Sequence, residues 1–300
     1  MIYVFSNRNI INNNSLGDGF NSESNENIRV AKYVAGTQKD LQFYNEEEGQ
    51  PLPSVRAFEE LQDSSAPCCI FIHGFNQNLE KNLDKCREIE AYGVNVIAFS
   101  WPSNPGPQAW WWKIKEYKSA RQNARRSVVA LERFFDKIND YATQRGKKSN
   151  IKSLVVHSLG NYLLESFVSS KGFDEQTAVL DNILLHQADV DSFGHEEWAD
   201  KLAAKSRVMV TVNETDDVLD FSDVLNPDRL GNTLGNLRSK SISYFNFGQL
   251  DLADDVHRLW QGRTVRNENA KLLFTQAFAG KKVRTGHFEY DTQRNCFHVR

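Results

Sequence analysis

The segment from residue 151 to residue 167 constrains the fold of this chain more than any other part of it. Its sequence, IKSLVVHSLGNYLLESF, begins with an apolar, β-branched run that stops abruptly at His157 and Ser158. Residues with helical spacing follow from Tyr162 onward. This pattern predicts a buried strand that turns sharply into a helix, with Ser158 at the corner.

Such a corner, a nucleophile elbow, holds a serine hydroxyl at the carboxyl end of a sheet, over the positive end of a helix. Its usual pattern is Gly-x-Ser-x-Gly. Gly160 occupies the second glycine position, where a small residue lets the helix pass close to the strand, whereas Val156 occupies the first. The competing interpretation is a buried strand followed by a serine that only caps a helix.

Strand and helix patterns alternate along the chain, which indicates an α/β fold with a mostly parallel central sheet and helices on both faces. Besides the strand that ends at Val156, we expect strands at residues 2–5, 68–72, 94–99, 182–187, 207–212 and 241–247. Helical spacing predicts helices at residues 78–92, 113–145 and 196–205, the second of them long and amphipathic.

We expect a single domain over residues 1–300. Residues 1–65 would supply N-terminal strand structure and a variable loop, and residues 12–27, rich in Asn, Ser, Gly and Glu, predict a loop. Residues 251–286 predict a helical insertion, with one helix near 252–260 and a second near 269–279.

Composition excludes several functional classes. The net charge of −3 gives no basic field for nucleic acid, and no apolar stretch is long enough for a transmembrane segment. The first residues carry no pattern of a secretion signal. The four cysteines include the adjacent pair Cys68 and Cys69 within a predicted strand, which favours a reducing cytoplasm over a disulfide framework. Since no group of residues has zinc-ligand spacing, we expect no metal, and nothing indicates a cofactor.

A serine nucleophile requires a general base, an acid that orients the base, and donors for the oxyanion. Loops at the carboxyl ends of parallel strands share one crevice, so the partners should follow strands. The strand at 207–212 leads to Asp216 and Asp217, either of which could be the orienting acid. Asp189 and Asp191, which follow the preceding strand, are competing candidates.

Four histidines follow the candidate acids Asp189 and Asp191 in the sequence. We prefer His287 as the base, because it follows the permissive Gly286 and lies near the chain end, where the base is expected. His257 ranks second, because it falls in the predicted helix at 252–260, where a surface or packing role is favoured. His298 is close to a terminus that could fray, and His195 is expected to begin a helix.

Two backbone N–H groups are expected to form the oxyanion hole. One belongs to Leu159, directly after the nucleophile, and the other to Phe75, in the loop that follows the strand at 68–72. His73 in the same loop is interpreted as a packed residue. The tryptophans that follow the next strand could form an acyl pocket or a lid, or could pack the long helix onto the sheet: Trp101, Trp110, Trp111 and Trp112.

In these residues the chain resembles the α/β-hydrolases, and in particular the bacterial DUF900 family of unknown function. The matching segments are FIHGFN at 71–76, FSWPS at 99–103, HSLGN at 157–161, ADVD at 188–191, RLG at 229–231 and Gly286-His287, with Tyr117, Ser127 and Phe193 between them. The resemblance covers residues 68–248 and resumes near 286. It implies Ser158 as nucleophile, Asp216 as acid and His287 as base, because the family pattern D-x-x-L-x-x-S falls on Asp216, Leu219 and Ser222.

We therefore expect a serine hydrolase that cleaves a carboxylic ester, or a thioester or amide, through an acyl-enzyme. Its partner would be a small-molecule ester or acyl substrate. The alternatives are a non-catalytic binding module on the same fold and an acyltransferase that uses the same three side chains.

Overall fold

The computed structural model of the chain describes residues 1–12, 15–34, 41–103, 110–223, 226–250 and 256–300, without the side chains of residues 110–113, 147, 221 and 223. The strands in this part of the chain are β1 Ile2–Ser6, β2 Arg8–Ile11, β3 Ser15–Phe20, β4 Arg29–Tyr33, β5 Leu41–Tyr44, β6 Cys68–Ile72, β7 Asn95–Ser100, β8 Ile151–His157, β9 Asn182–His186, β10 Arg207–Val212, β11 Ile242–Asn246, β12 Glu289–Asp291 and β13 Cys296–His298. The α-helices are α1 Pro53–Asp63, α2 Leu79–Glu90, α3 Trp110–Arg126, α4 Val128–Arg145, α5 Gly160–Val168, α6 Glu196–Ala203, α7 Asp217–Asp223 and α8 Glu268–Phe278.

Eleven of these strands form one sheet, in the order β12-β13-β11-β10-β9-β8-β6-β7-β1-β4-β5. The strands from β13 to β1 in this order run parallel to one another. Antiparallel pairing occurs only at the two ends, where β12 joins β13 and the β4–β5 hairpin joins β1. The predicted α/β-hydrolase architecture, with a mostly parallel central sheet, is thereby confirmed.

Two apolar clusters cover the faces of the sheet. One cluster joins the inner faces of α1, α3, α4, α5 and α6 to one side of the strands, and the other joins α2 and α8 to the opposite side. In β6, Cys68, Ile70 and Ile72 point to the first cluster and Cys69 and Phe71 to the second, as the two-residue period of a strand requires. Of the described helices, none is both long and apolar enough to be a membrane span.

The helix predicted at 113–145 is interrupted in the structure. It is divided at Ser127 into α3 and α4. The Ser127 hydroxyl donates to the carbonyl oxygen of Asn123 at 2.9 Å and accepts from the side-chain amide of Asn7 at 3.1 Å. A serine hydroxyl that bonds to the backbone one turn earlier competes with the helical hydrogen bonds. This competition leaves the spacing of the apolar residues unchanged, so periodicity alone did not reveal the break.

The loop predicted at 12–27 contains a strand. Strand β3 pairs with β2 as a hairpin, a small second sheet outside the central one. Leu16 and Phe20 are its only apolar residues and two others are glycines, so composition suggested a loop where backbone pairing with β2 forms a strand.

The segment predicted as a helical insertion packs directly on the sheet. Residues 251–255 lie outside the described residues, and residues 256–260 form turns instead of the predicted first helix. The second predicted helix is confirmed as α8, which contacts β8 and β9 and carries Leu273 and Phe274 into the second apolar cluster.

Candidate active site

Ser158 lies at a strained corner between β8 and α5. Its φ angle is +53°, in the left-handed region that non-glycine residues rarely adopt. The Ser158 N–H donates to the carbonyl oxygen of His186 at 3.0 Å, and its own carbonyl oxygen accepts from the N–H of Asp189 at 3.2 Å and the side chain of Asn161 at 3.0 Å. Hydrogen bonds on both sides of the corner therefore hold the serine in the conformation of a nucleophile elbow.

Two glycines make room for this corner. A Cβ atom at Gly160 would lie 2.7 Å from the carbonyl oxygen of His73, and one at Gly74 would lie 2.7 Å from the Cβ of Ser158. Val156, which stands where the usual pattern has glycine, is fully buried in the first apolar cluster. The space that matters at this elbow is thus provided by Gly160 and by Gly74, from the loop after β6.

The loop after β6 carries Phe75, one of the two predicted oxyanion donors, close to the elbow, which contains the other, Leu159. A Cβ at Gly74 would lie 3.1 Å from the backbone nitrogen of Leu159, so the loop passes directly over the start of α5. Within the described residues, the N–H groups of Phe75 and Leu159 donate no hydrogen bond. Leu159 directly follows Ser158, and Phe75 lines the same cleft as Ser158, so both N–H groups stay candidates for an oxyanion hole.

A fully buried arginine supports the loop after β6, residues 73–78, which is named the oxyanion loop for the donor predicted at Phe75. Arg8 donates from Nη2 to the carbonyl oxygen of Gln77 at 2.6 Å and from Nε to the hydroxyl of Ser100 at 3.0 Å. Its Nη1 lies 3.1 Å from the carboxylate of Asp18. Burial lowers the pKa of Arg8 to about 10, which still leaves it charged at neutral pH. The N-terminal hairpin therefore fixes the far end of the loop.

His73 and Trp101 fix the near end of the loop. The backbone N–H of Trp101 donates to Nε2 of His73 at 3.1 Å, so Nδ1 carries the proton and donates to the carbonyl oxygen of Gly74 at 2.9 Å. The two rings stack with an interplanar angle of 1°. Trp101 is fully buried. His73 is a packed residue, as the sequence suggested, and Trp101 packs beneath the loop; the side chains of Trp110–Trp112 lie outside the described residues.

Asp216 lies after β10 at the start of α7 and holds a histidine. Its Oδ1 accepts from the N–H of Val218 at 3.0 Å, as expected of an aspartate at a helix N-terminus. Its Oδ2 accepts from Nδ1 of His257 at 2.6 Å and from Nε2 of Gln187 at 2.7 Å. The Asp216 side chain is fully buried, whereas its neighbour Asp217 is exposed.

The segment that carries His257 is held at three backbone positions. Asn213 donates to the carbonyl oxygen of Val256 at 2.9 Å, and His157 donates from Nε2 to the carbonyl oxygen of His257 at 3.1 Å. The N–H of Leu259 donates to Nε2 of His186 at 3.3 Å. Burial lowers the pKa of His157 and of His186 well below the usual range, so both supports are neutral imidazoles.

The structure does not bring His287, the predicted base, to this site. His287 is exposed in the 3-10 helix Thr285–His287, directly before β12 at the outer edge of the sheet. Strand β12 is five positions from β8, a lateral separation of roughly 24 Å at about 4.8 Å per strand. The residue paired with Asp216 is His257, and the preference for His287 over His257 is corrected accordingly.

One signal in the sequence could have found His257. It lies in the first connection after β11, as Asp216 lies in the first connection after β10. The rule that site residues follow the strands of the sheet therefore favours it over His287, which follows a helix. His298 lies in β13, the strand next to the edge strand β12 and four positions from β8.

The competing acids have other partners. Asp189 accepts from the hydroxyl of Tyr117 at 3.1 Å and from that of Ser222 at 2.6 Å, and Asp191 forms an ion pair with Arg229. Burial raises the pKa of Asp189. Asp189 therefore belongs to a buried cluster behind the elbow, which it contacts through its backbone bond to Ser158.

Ser158 and His257 line the same cleft, which has a volume of about 630 Å³. Its other lining residues are Phe75, Asn76, Gln77, Lys81, Lys85, His157, Asp217, Val218 and Arg258. With Nδ1 of His257 bound to Asp216, its Nε2 is left as the ring atom that can accept a proton. The arrangement can thus combine a hydroxyl, a base and two N–H donors at one opening.

In the part of the chain that the structure describes, one group of residues has potential metal-ligand atoms close together. Ligand atoms of Asp291, Cys296 and His298 lie within 4.8 Å of one another at the sheet edge. The Asn246 amide, oriented by the N–H of Gly248, donates to Nδ1 of His298 at 3.3 Å, so Nε2 carries the proton toward Asp291. This imidazole nitrogen faces the carboxylate as a donor, which does not fit a metal ligand.

Comparison with known proteins identifies a family whose model covers the residues that line the cleft. The family model described as "Alpha/beta hydrolase of unknown function (DUF900)" matches residues 56–261. No curated protein matches the chain. The matched segment includes Ser158, Asp216 and His257, and ends before His287.

Proposed function

Because the chain belongs to the alpha/beta hydrolase family of unknown function (DUF900), we propose that it is a serine hydrolase that cleaves a carboxylic ester, or the related thioester or amide. In this proposal Ser158 is the nucleophile, His257 the base and Asp216 the acid that orients it. The observation that carries the proposal is the 2.6 Å bond between buried Asp216 and a histidine that shares a cleft with the elbow serine.

In the first half-reaction, Ser158 Oγ attacks the carbonyl carbon of the substrate while its proton passes to Nε2 of His257. Asp216 stabilises the imidazolium through the bond at Nδ1. The carbonyl oxygen becomes an oxyanion, which accepts from the N–H groups of Phe75 and Leu159. The tetrahedral intermediate then expels the alcohol, which takes the proton from His257, and an acyl-Ser158 ester remains.

In the second half-reaction, water attacks the acyl carbon and its proton passes to His257. The same two N–H groups stabilise the second oxyanion. When this intermediate collapses, the proton returns from His257 to Ser158 Oγ and the carboxylic acid leaves. No cofactor takes part in either step.

The size and lining of the cleft support a small substrate. A volume of about 630 Å³ falls within the range of small-molecule sites, and Phe75 and Val218 supply apolar surface beside Ser158. Lys81, Lys85 and Arg258 add polar groups that could orient the leaving group or the acyl group of the substrate.

The experiment is labelling with a fluorophosphonate, which reacts covalently with activated serines. We expect the wild-type chain to be labelled and Ser158→Ala to be unlabelled. A matched pair of histidine variants tests the base: His257→Gln should slow labelling by about 10²–10⁴-fold, whereas exposed His287→Gln should label at the wild-type rate.

Labelling that persists in Ser158→Ala would remove Ser158 as the nucleophile. Slow labelling of His287→Gln together with normal labelling of His257→Gln would reverse the assignment of the base. Acyl groups are then identified by incubating the labelled and unlabelled chains with a library of esters and thioesters and measuring the released acid.

A further inference from the structure

We infer that Gln187 is a positioning residue for the site, whose carboxamide holds the Asp216 oxygen that binds His257. This inference rests on the proposed function for its catalytic consequence. Gln187 is not a member of the three residues proposed above, and it follows β9, one strand away from Asp216. Its Nε2 and the Nδ1 of His257 meet the same oxygen, Asp216 Oδ2, at 2.7 and 2.6 Å.

The orientation of the Gln187 amide follows from a chain of hydrogen bonds with one allowed direction. The N–H of Leu259 can only donate, so Nε2 of His186 accepts and Nδ1 of His186 carries the proton. That Nδ1–H lies 3.0 Å from the hydroxyl of Thr211, which therefore donates onward to Oε1 of Gln187 at 3.1 Å. With its oxygen engaged, Gln187 presents its NH2 group to Asp216.

This chain of bonds begins and ends at the same segment. It starts on the backbone of Leu259, two residues after His257, and it ends on the carboxylate that binds the His257 ring. A shift of the segment would therefore disturb the partner of His257 as well as its backbone. Every group along the path is buried, so water does not substitute for a missing bond.

The backbone at Gln187 gives an independent reason for this residue type. Its φ angle is +43°, in the left-handed region where glycine and asparagine are the common residues. Gln187 carries a longer side chain at this strained position, and both its Nε2 and its Oε1 form hydrogen bonds. Strained backbone conformations of this kind are found most often at functional sites, where the surrounding hydrogen bonds maintain them.

The test compares Gln187→Met, which keeps the length of the side chain and removes the donor, with the wild-type chain. We expect the maximal rate of fluorophosphonate labelling to fall about tenfold, the equivalent of one hydrogen bond to a charged group. The pH at which labelling is half-maximal should rise, because a carboxylate that has lost a donor stabilises the imidazolium more strongly.

The second measurement follows the His257 imidazole by NMR through a pH titration, and it does not depend on activity. His257→Gln identifies the resonance. The charged and titratable groups that act on His257 are Asp216, Asp189, His157 and His186 and, along the cleft, Lys81, Lys85, Asp217 and Arg258. None of them changes in Gln187→Met, so an upward shift of the His257 titration reports the loss of the Gln187 amide.

The outcomes separate this inference from the proposed function. A wild-type chain that is never labelled, combined with a shifted His257 titration in Gln187→Met, would reject the hydrolase and keep the positioning role. Unchanged titration and unchanged labelling in a folded Gln187→Met would overturn the inference. If Gln187→Met does not fold, Thr211→Val, which removes the hydroxyl that orients the amide, should give the same upward shift, with Thr211→Ser as the variant that restores it.

Discussion

The side chain of His157 donates a hydrogen bond to the backbone of His257, with Nε2 3.1 Å from the carbonyl oxygen. The residue directly before the proposed nucleophile thus holds the residue proposed as its base. Their rings also meet edge to face, with centroids 4.7 Å apart. Because one end of this contact is fixed by β8, the position of His257 depends on the same strand that sets the position of Ser158.

Asp216 and Asp217 offer a matched test of the orienting acid. Asp216→Asn removes the charge from the buried carboxylate and should lower the labelling or turnover rate by about 10³–10⁴-fold, since a neutral amide does not stabilise the imidazolium. Asp217 is exposed and adjacent, so Asp217→Asn should change the rate less than about threefold. Equal effects of the two variants would contradict the assignment.

The strain at Ser158 predicts an unusual order of stabilities. At a φ of +53°, glycine is favoured over alanine, so Ser158→Gly should be more stable than Ser158→Ala by about 1 kcal/mol. Ser166, within α5, serves as the control, because in a helix the order reverses by about the same amount. Urea unfolding of the four variants measures both differences. The same order at both positions would show that Ser158 is not strained.

Close packing of the oxyanion loop predicts that Gly74 tolerates no side chain. Gly74→Ala places a Cβ 2.7 Å from the Cβ of Ser158 and 2.9 Å from the carbonyl oxygen of His157. We expect the free energy of unfolding to fall by about 1–3 kcal/mol and labelling to slow. Gly286→Ala, where no atom lies within 4 Å of the new Cβ, should stay within about 0.5 kcal/mol of wild type. A wild-type labelling rate in Gly74→Ala would contradict the packed loop.

Buried neutral histidines predict a loss of stability in weak acid. Burial lowers the pKa of His73, His157 and His186 well below the usual range. Below about pH 6.5 the unfolded imidazoles bind protons that the folded ones do not, so stability is full above this pH and falls as the pH decreases. The slope is about 1.4 kcal/mol per pH unit for each histidine, or about 4 kcal/mol for the three.

The measurement is urea unfolding between about pH 7.5 and about pH 5.5. Asp189, whose pKa burial raises, takes up a proton in the folded state and offsets part of the loss as the pH falls. His287→Gln, at an exposed position, should leave the slope unchanged. A free energy of unfolding that is constant or rises toward acid pH would refute the prediction.

The sheet and the elbow could be predicted from the sequence because their signals are local. The continuous apolar run of β6 and the valine-rich β10 are typical of buried parallel strands, and their predicted bounds agree with the structure. Ser158, Asp216 and Phe75 each follow such a strand directly or after a few residues. Their place at one edge of the sheet therefore follows from topology.

His257, the proposed base, could not be identified in the same way because the conformation of its segment depends on distant contacts. Residues 252–260 have spacing that suggested a helix, but bonds from Asn213 and His157, the latter 100 positions before His257, hold residues 256–257 as a turn. Tertiary hydrogen bonds that satisfy backbone groups override a weak local preference. The preceding Gly286 gave His287 a local signal, but the sheet topology places His287 directly before the edge strand β12.

The buried Arg8 has a consequence for how the protein should be divided. Arg8 and β1 precede the segment that matches the family, yet the arginine supports the oxyanion loop and β1 pairs with β7 inside the sheet. Helix α8, beyond the other boundary, covers β8 and β9. A fragment trimmed to residues 56–261 would lose the interior strand β1 and the helix that covers β8 and β9. The cooperative folding unit is therefore larger than the region that the family shares.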